Sequence, residues 1–285
     1  MIYLILAVLC SFSNSLLIKK NETEGLDTRV VLASNYLTAI FLGWIFVLAN
    51  GVGGLSRLTL VLGFGGGILW PISFYMLMWG IRHYGLALAG SISRLSLSIP
   101  ILFALIFLHE QLTIEAALGI TGSFFAFILL SPIKPGQDLP LDSRAAWYFP
   151  LLVLTFGVVD GWVNLFNAIA PRTEKYLFMV LIFTFSGVIA WVSLRIQRIR
   201  IERKALLRGL LLGGPNFLST YFLLESLQTP ALSARSAVVY TLFSVAGVLL
   251  AFSSGVVVWR EKMTRGNILG LIFAVGSIIM LNLKG

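Results

Sequence analysis

Four ionisable residues sit within apolar stretches of this 285-residue chain: Arg94, Asp160, Glu225 and Arg235. A charge held away from water is costly, so such residues pair with one another, line a wet cavity or meet a charged ligand. Their neighbours extend the pattern. Asp160, Asn164 and Asn167 recur at i, i+4 and i+7, which is one polar stripe on a helix. Ser91, Arg94 and Ser98 form a second stripe, and Asn216 and Thr220 a third. Polar stripes on separate helices are what a solute cavity needs. Each stripe alone also fits a hydrogen bond that only holds two helices together. Asn14, Tyr221 and Tyr240 join the candidate lining, with Asn35, Tyr36 and Tyr75 behind them, although aromatics in such helices more often pack or anchor at the interface.

The chemistry these residues offer is binding. The planar fork of donors on Arg94 suits a carboxylate or phosphate, and its partner is either Asp160 or an anionic solute. Glu225 and Arg235 fall at the end of one apolar run and the start of the next, where they make either a gate-like ion pair or a clamp at a turn. Glu110 and Glu261 sit in short charged turns, where capping is a better reading than proton carriage. His109-Glu110 begins a zinc-protease pattern, but Thr113 stands where the second histidine is required, and the chain has two histidines and one cysteine. No metal, nucleotide or other cofactor is expected. Gly65–Gly67 permits close helix approach and has no Lys-Ser/Thr after it to make a phosphate loop.

The elements that hold these residues are membrane helices. Hydrophobic residues make up 58% of the chain and charged residues 12%, more apolar surface than a soluble domain of this size can hide. With about 20 apolar residues needed to cross a bilayer core, ten spans are expected, near 2–18, 29–49, 59–81, 85–108, 114–131, 146–169, 176–194, 205–227, 231–258 and 265–283. Pro71, Pro100 and Pro215 are expected to kink theirs. No Lys or Arg precedes the first run, which reads as a retained helix and not a cleaved signal.

Leu108–Leu130 recurs 151 residues later as Trp259–Leu281: Glu110 matches Glu261, Thr113 matches Thr264 and Gly119 matches Gly270. Asn14 pairs with Asn164 at nearly the same offset. Thr113 and Thr264 stand where helix N-caps belong. The chain therefore reads as two tandem copies, residues 1–131 and 146–285, joined by a proline-rich linker over 132–145. Five spans per copy is odd, so the second copy is inverted relative to the first. Basic residues gather on one side, from Lys19, Lys20 and Arg29 through Arg82, Lys134 and Arg144 to the cluster Arg195–Arg208 and Arg260–Arg265. The other side holds Arg57, Arg172, Lys175 and Lys284. The positive-inside rule puts the first set in the cytoplasm and both termini outside a cell (inner) membrane.

Four stretches resemble the drug/metabolite transporter superfamily, the EamA-like ten-helix permeases: FSNSLLIKK (12–20), SRLSLSIPILFALIFLHEQLT (93–113), GGPNFLSTYFLLESL (213–227) and VVVWREKMT (256–264). The resemblance runs the length of the chain. It implies an all-α polytopic protein of two inverted five-helix repeats and a secondary transporter, not an enzyme. Solute, an amino acid or another small anionic metabolite, would bind at Asn14, Ser91, Arg94, Ser98, Asp160, Asn164, Asn216, Thr220, Tyr221 and Tyr240, with Glu225 and Arg235 as a gate. The expected partners are that solute and the bilayer, with no nucleic acid; a homodimer stays open. A membrane enzyme acting on lipid or peptide, and a non-transporting scaffold, are the alternatives.

Overall fold

The computed structural model describes residues 1–51, 54–84, 89, 92–130, 144–233, 235–259 and 264–282, and these form helices joined by short turns. The helices are α1 (Ile2–Thr23), α2 (Thr28–Asn50), α3 (Arg57–Tyr84), α4 (Ser98–Ile106), α5 (Ile114–Leu129), α6 (Ala145–Ile169), α7 (Lys175–Ile196), α8 (Arg203–Gln228), α9 (Ser236–Trp259) and α10 (Arg265–Asn282). Single 3₁₀ turns, Arg94–Leu97 and Arg172–Glu174, lead into α4 and α7. Among the described residues, six helical segments are long and apolar enough to cross a membrane; they lie in α2, α3, α6, α7, α9 and α10. The apolar parts of α1, α4 and α5 are shorter. The chain is an all-α membrane protein.

Caps set the helix starts. Asp27 accepts from the Arg29 amide at the head of α2. Thr113 Oγ1 accepts from the Ala116 amide at the head of α5, and Thr264 Oγ1 from the Asn267 amide at the head of α10, both at 3.2 Å. Both threonines thus cap as their position predicts. Asn267 adds what its counterpart Ala116 lacks, since its Oδ1 accepts from the Thr264 amide and its Nδ2 donates to the Leu129 carbonyl on α5. Pro100 falls in the first turn of α4, where a missing N–H costs nothing, and so is not the mid-helix kink expected. Pro71 and Pro215 lie inside α3 and α8.

The described residues form two compact units, and these do not follow the two halves of the sequence. Unit 1 is Met1–Ile72 with Leu165–Thr229, and unit 2 is Ser73–Asn164 with Pro230–Gly285. In unit 1 the main partners are α1 with α8, α2 with α8 and α2 with α7. In unit 2 they are α5 with α10, then α9 with α10, α4 and α5. Helices of the first half bury their faces largely on helices of the second. The division expected at 132–145 is one of sequence repeats, and residues 131–143 lie outside the described residues.

Small residues allow the closest approaches. Gly209 and Gly213 on α8 face the Val31 and Asn35 carbonyls on α2, one turn apart on each helix, and a Cβ at either would collide with backbone. In unit 2, a Cβ on Gly119 would lie 2.7 Å from Leu281, and one on Gly270 would lie 2.9 Å from Leu130. These contacts are reciprocal, because the 151-residue offset carries Gly119 onto Gly270 and Leu130 onto Leu281. The start of each helix lies against the end of the other, so α5 and α10 run antiparallel. Overpacking here is costly. Gly119→Val and Gly270→Val should each destabilise by about 1–3 kcal/mol, while Gly276→Ala, whose Cβ meets nothing within 4 Å, should not. Unfolding of the purified variants checks this; equal loss at all three positions would contradict the packing.

Candidate functional site

In unit 2 the polar side chains converge at the head of α9. Glu110 Oε1 accepts from the Ser236 amide at 2.8 Å and from Ser236 Oγ at 2.5 Å, and Oε2 accepts from the Ala237 amide at 3.1 Å. A carboxylate at a helix N-terminus satisfies free amides and meets the positive end of the helix dipole. This is the capping role expected of Glu110. His109, at φ 52°, directly precedes it in the turn. The repeat counterpart Glu261 lies outside the described residues.

Ser236 Oγ gives its single proton to Glu110, so it can only accept from its other neighbour. That neighbour is Asn164 Nδ2 at 3.1 Å. The amide orientation is thereby fixed, and Asn164 Oδ1, on a residue that is 0% exposed, is left buried with no donor among the described residues. A buried carbonyl without a donor costs about 1–3 kcal/mol. One turn earlier on α6, the Asp160 carbonyl accepts from the buried Tyr240 hydroxyl at 2.9 Å. Asp160, Asn164 and Tyr240 are thus brought together with Ser236 and Glu110. Ser236 did not stand out in the sequence, because one serine among many carries no signal until a carboxylate faces it.

Other candidates in unit 2 fall differently. Ser98 Oγ donates to the Leu95 carbonyl in its own turn. Ser91 and the Arg94 side chain lie outside the described residues, and the Arg94 backbone is in a 3₁₀ turn, not a continuous helix. Arg235 precedes α9 and is not inside a span. Pro230 and the Glu110 cap delay the helix start to Ser236.

In unit 1, Asn216 Nδ2 donates to Asn35 Oδ1 at 2.8 Å, joining α8 to α2, and Asn35 Nδ2 donates to the Leu32 carbonyl. Thr220 donates to the Asn216 carbonyl one turn back. Of these bonds, the one between Asn216 and Asn35 joins two helices, and the other two each stay within one. Tyr221 packs among Phe46, Tyr176 and Phe222. Among the described residues, Asn14 Oδ1 and Asn167 Oδ1 are buried without a donor, as is Asn164 Oδ1.

In unit 1, Glu225 forms an ion pair with Lys175 at 2.5 Å. Lys175 opens α7 and also lies 5.1 Å from the centre of the Tyr176 ring. Two further carboxylates emerge from the structure. Glu174 accepts from the Ser56 amide and hydroxyl at the head of α3. Glu24 binds Lys204 and Arg208 at the head of α8. An offset of 150 carries Glu24 onto Glu174, and carries Ser56 to position 206, between Lys204 and Arg208. These contacts are reciprocal too. The Lys204 hydrogen bond and the nearby Arg208 charge hold the Glu24 carboxyl below its usual range. The contribution of this cluster is present above the ordinary carboxylate pKa and is lost only as pH falls through the lowered one.

Lys175 and Glu225 are each about 15% exposed, at 15% and 14%. Removing one leaves a largely buried charge alone. Glu225→Met and Lys175→Met should each cost roughly 3 kcal/mol, and the two together should recover most of it. Melting of the two single variants and the double variant tests the pair; additive losses would rule it out.

No family model matches this chain. An uncharacterized protein of Haemophilus influenzae is 26% identical over 296 residues, covering 98% of this chain and 96% of its own length. A protein of known crystal structure superimposes with a TM-score of 0.74 at 15% identity, over 99% of this chain and 95% of that one. At that identity the likeness is one of fold.

Proposed function

We propose that this protein is a secondary transporter of the EamA-like kind, with ten membrane spans arranged as two inverted five-helix repeats, that moves a small metabolite by alternating access. The reciprocal packing of repeat-related helices carries this reading. Gly119 on Leu281 and Gly270 on Leu130 place equivalent helices antiparallel, which is what an inverted repeat requires. The exchange made by Glu24 and Glu174 supports it in the other unit. Such repeats rock between two arrangements around a solute site.

The carbonyl of Asn164 is the leading solute contact, since it is buried, fixed and lacks a donor among the described residues. An N–H or O–H donor fits it, such as the ammonium of an amino acid whose carboxylate meets Arg94. A metabolite that raises the melting temperature of the purified protein identifies the solute, and flux of that solute into proteoliposomes tests transport. Asn164→Ala should lower flux at least tenfold while costing only about 1 kcal/mol of stability, the worth of one neutral hydrogen bond. Flux that falls only in step with stability makes Asn164 a strut; no flux of any stabilising solute sinks the transporter reading.

The basic loops place both termini outside the cytoplasm in this reading. A reporter fused after Gly285 should report the outside, and one inserted among Arg198–Arg203 the cytoplasm. The opposite pattern overturns the orientation and leaves the repeat intact.

A further inference from the structure

The turn between α7 and α8 carries Arg195, Arg198, Arg200, Arg203 and Lys204, with Glu202 as its one acid. All six are exposed. Lys204 is neutralised by Glu24, as is Arg208 beyond it. Among the described residues, Arg195, Arg198, Arg200 and Arg203 have no ion pair or side-chain hydrogen bond. Four free cations within nine residues repel one another unless an anion joins them.

The backbone here is strained in a specific place. Arg198 has φ 52°, the left-handed region. Its amide donates to the Arg195 carbonyl, and the Ile199 amide to the Leu194 carbonyl. That is the Schellman end of a helix, with arginine where glycine is favoured. Left-handed backbone at such a residue costs of order 1 kcal/mol. The chain tolerates a costly residue at the tip of a cationic turn.

Directly below the turn, α7 presents a shallow apolar groove. Val188, Val192 and Ile196 line one side at i, i+4 and i+8, and Ile189, Ser193 and Gln197 line the other. Val188 and Val192 are more than half exposed, at 55% and 52%. Gln197 closes the polar end, donating to Ser193 Oγ and accepting from Arg29. Arg195 and Arg198 flank Ile196 and Gln197, which line the last turn of the groove, in the sequence.

We propose that this is a binding site for an anionic phospholipid. One acyl chain lies along the α7 groove, and the phosphodiester headgroup is held by Arg198 with Arg195 and Arg200. Apolar length, polar end and unneutralised charge occur in the order a lipid presents them. Unlike solute transport, this requires nothing of the polar cluster at α9.

The test uses the full-length protein, purified in mild detergent and offered equimolar phosphatidylglycerol and phosphatidylcholine, with bound lipid counted by native mass spectrometry. The wild type should retain phosphatidylglycerol preferentially. Arg198→Gly is the discriminating variant. It relieves the left-handed strain, so its melting temperature in phosphatidylcholine should match or exceed wild type, yet phosphatidylglycerol retention should fall about fivefold, the equivalent of about 1 kcal/mol for one arginine near an anionic headgroup. Val192→Trp fills the groove and should also cut retention, with Val188→Phe as the second groove variant if the first melts early. Soluble glycerol phosphate should not displace the lipid. Equal retention of both lipids by wild type, undiminished retention in Arg198→Gly, or loss through charge removal but not groove filling would each overturn the site.

Discussion

A helix that starts at a membrane surface brings amides with no partner of their own, and in this chain carboxylates from elsewhere in the sequence supply much of what the helix starts need. Glu110 reaches the head of α9 and Glu174 the head of α3. Glu24 reaches the head of α8 through its two basic residues. In each case acid and helix come from opposite halves of the chain. Water cannot stand in for such partners deeper in the bilayer, so these contacts fix which helices lie together. The close glycine approaches on α8, α5 and α10 then become possible.

The same constraint shapes the polar cluster at α9. Glu110 takes the proton of Ser236, Ser236 must accept from Asn164, and the Asn164 carbonyl is left over. The unsatisfied group follows from the proton count of the cap. Asn35 differs, because its carbonyl accepts from Asn216 Nδ2 and its own amide donates to the Leu32 carbonyl.

Much of the helical framework was legible from the sequence, since apolar length and N-cap chemistry are local signals. Thr113 and Thr264 cap as their position predicts, and Glu110 caps a helix. What was not legible depends on packing. Lys175 is far from Glu225 in the chain, and only the neighbouring helix delivers it to that carboxylate. Glu24 and Glu174 gave no signal because acids in loops are usually solvated. The division into repeats was visible as internal similarity, whereas the division into compact units depends on which faces bury one another.

That interleaving bears on how the chain is made. Unit 1 needs residues up to Thr229, and unit 2 needs α10 as well as α3 through α6. Neither half of the chain carries a complete set of packing partners. The helices of the first half must therefore wait in the membrane, with Gly119 and the Asn35 carbonyl facing lipid, until the second half is synthesised. Biosynthesis of this protein is in effect an assembly of two partners that happen to share one chain, and its vulnerable period lasts until the arrival of α10.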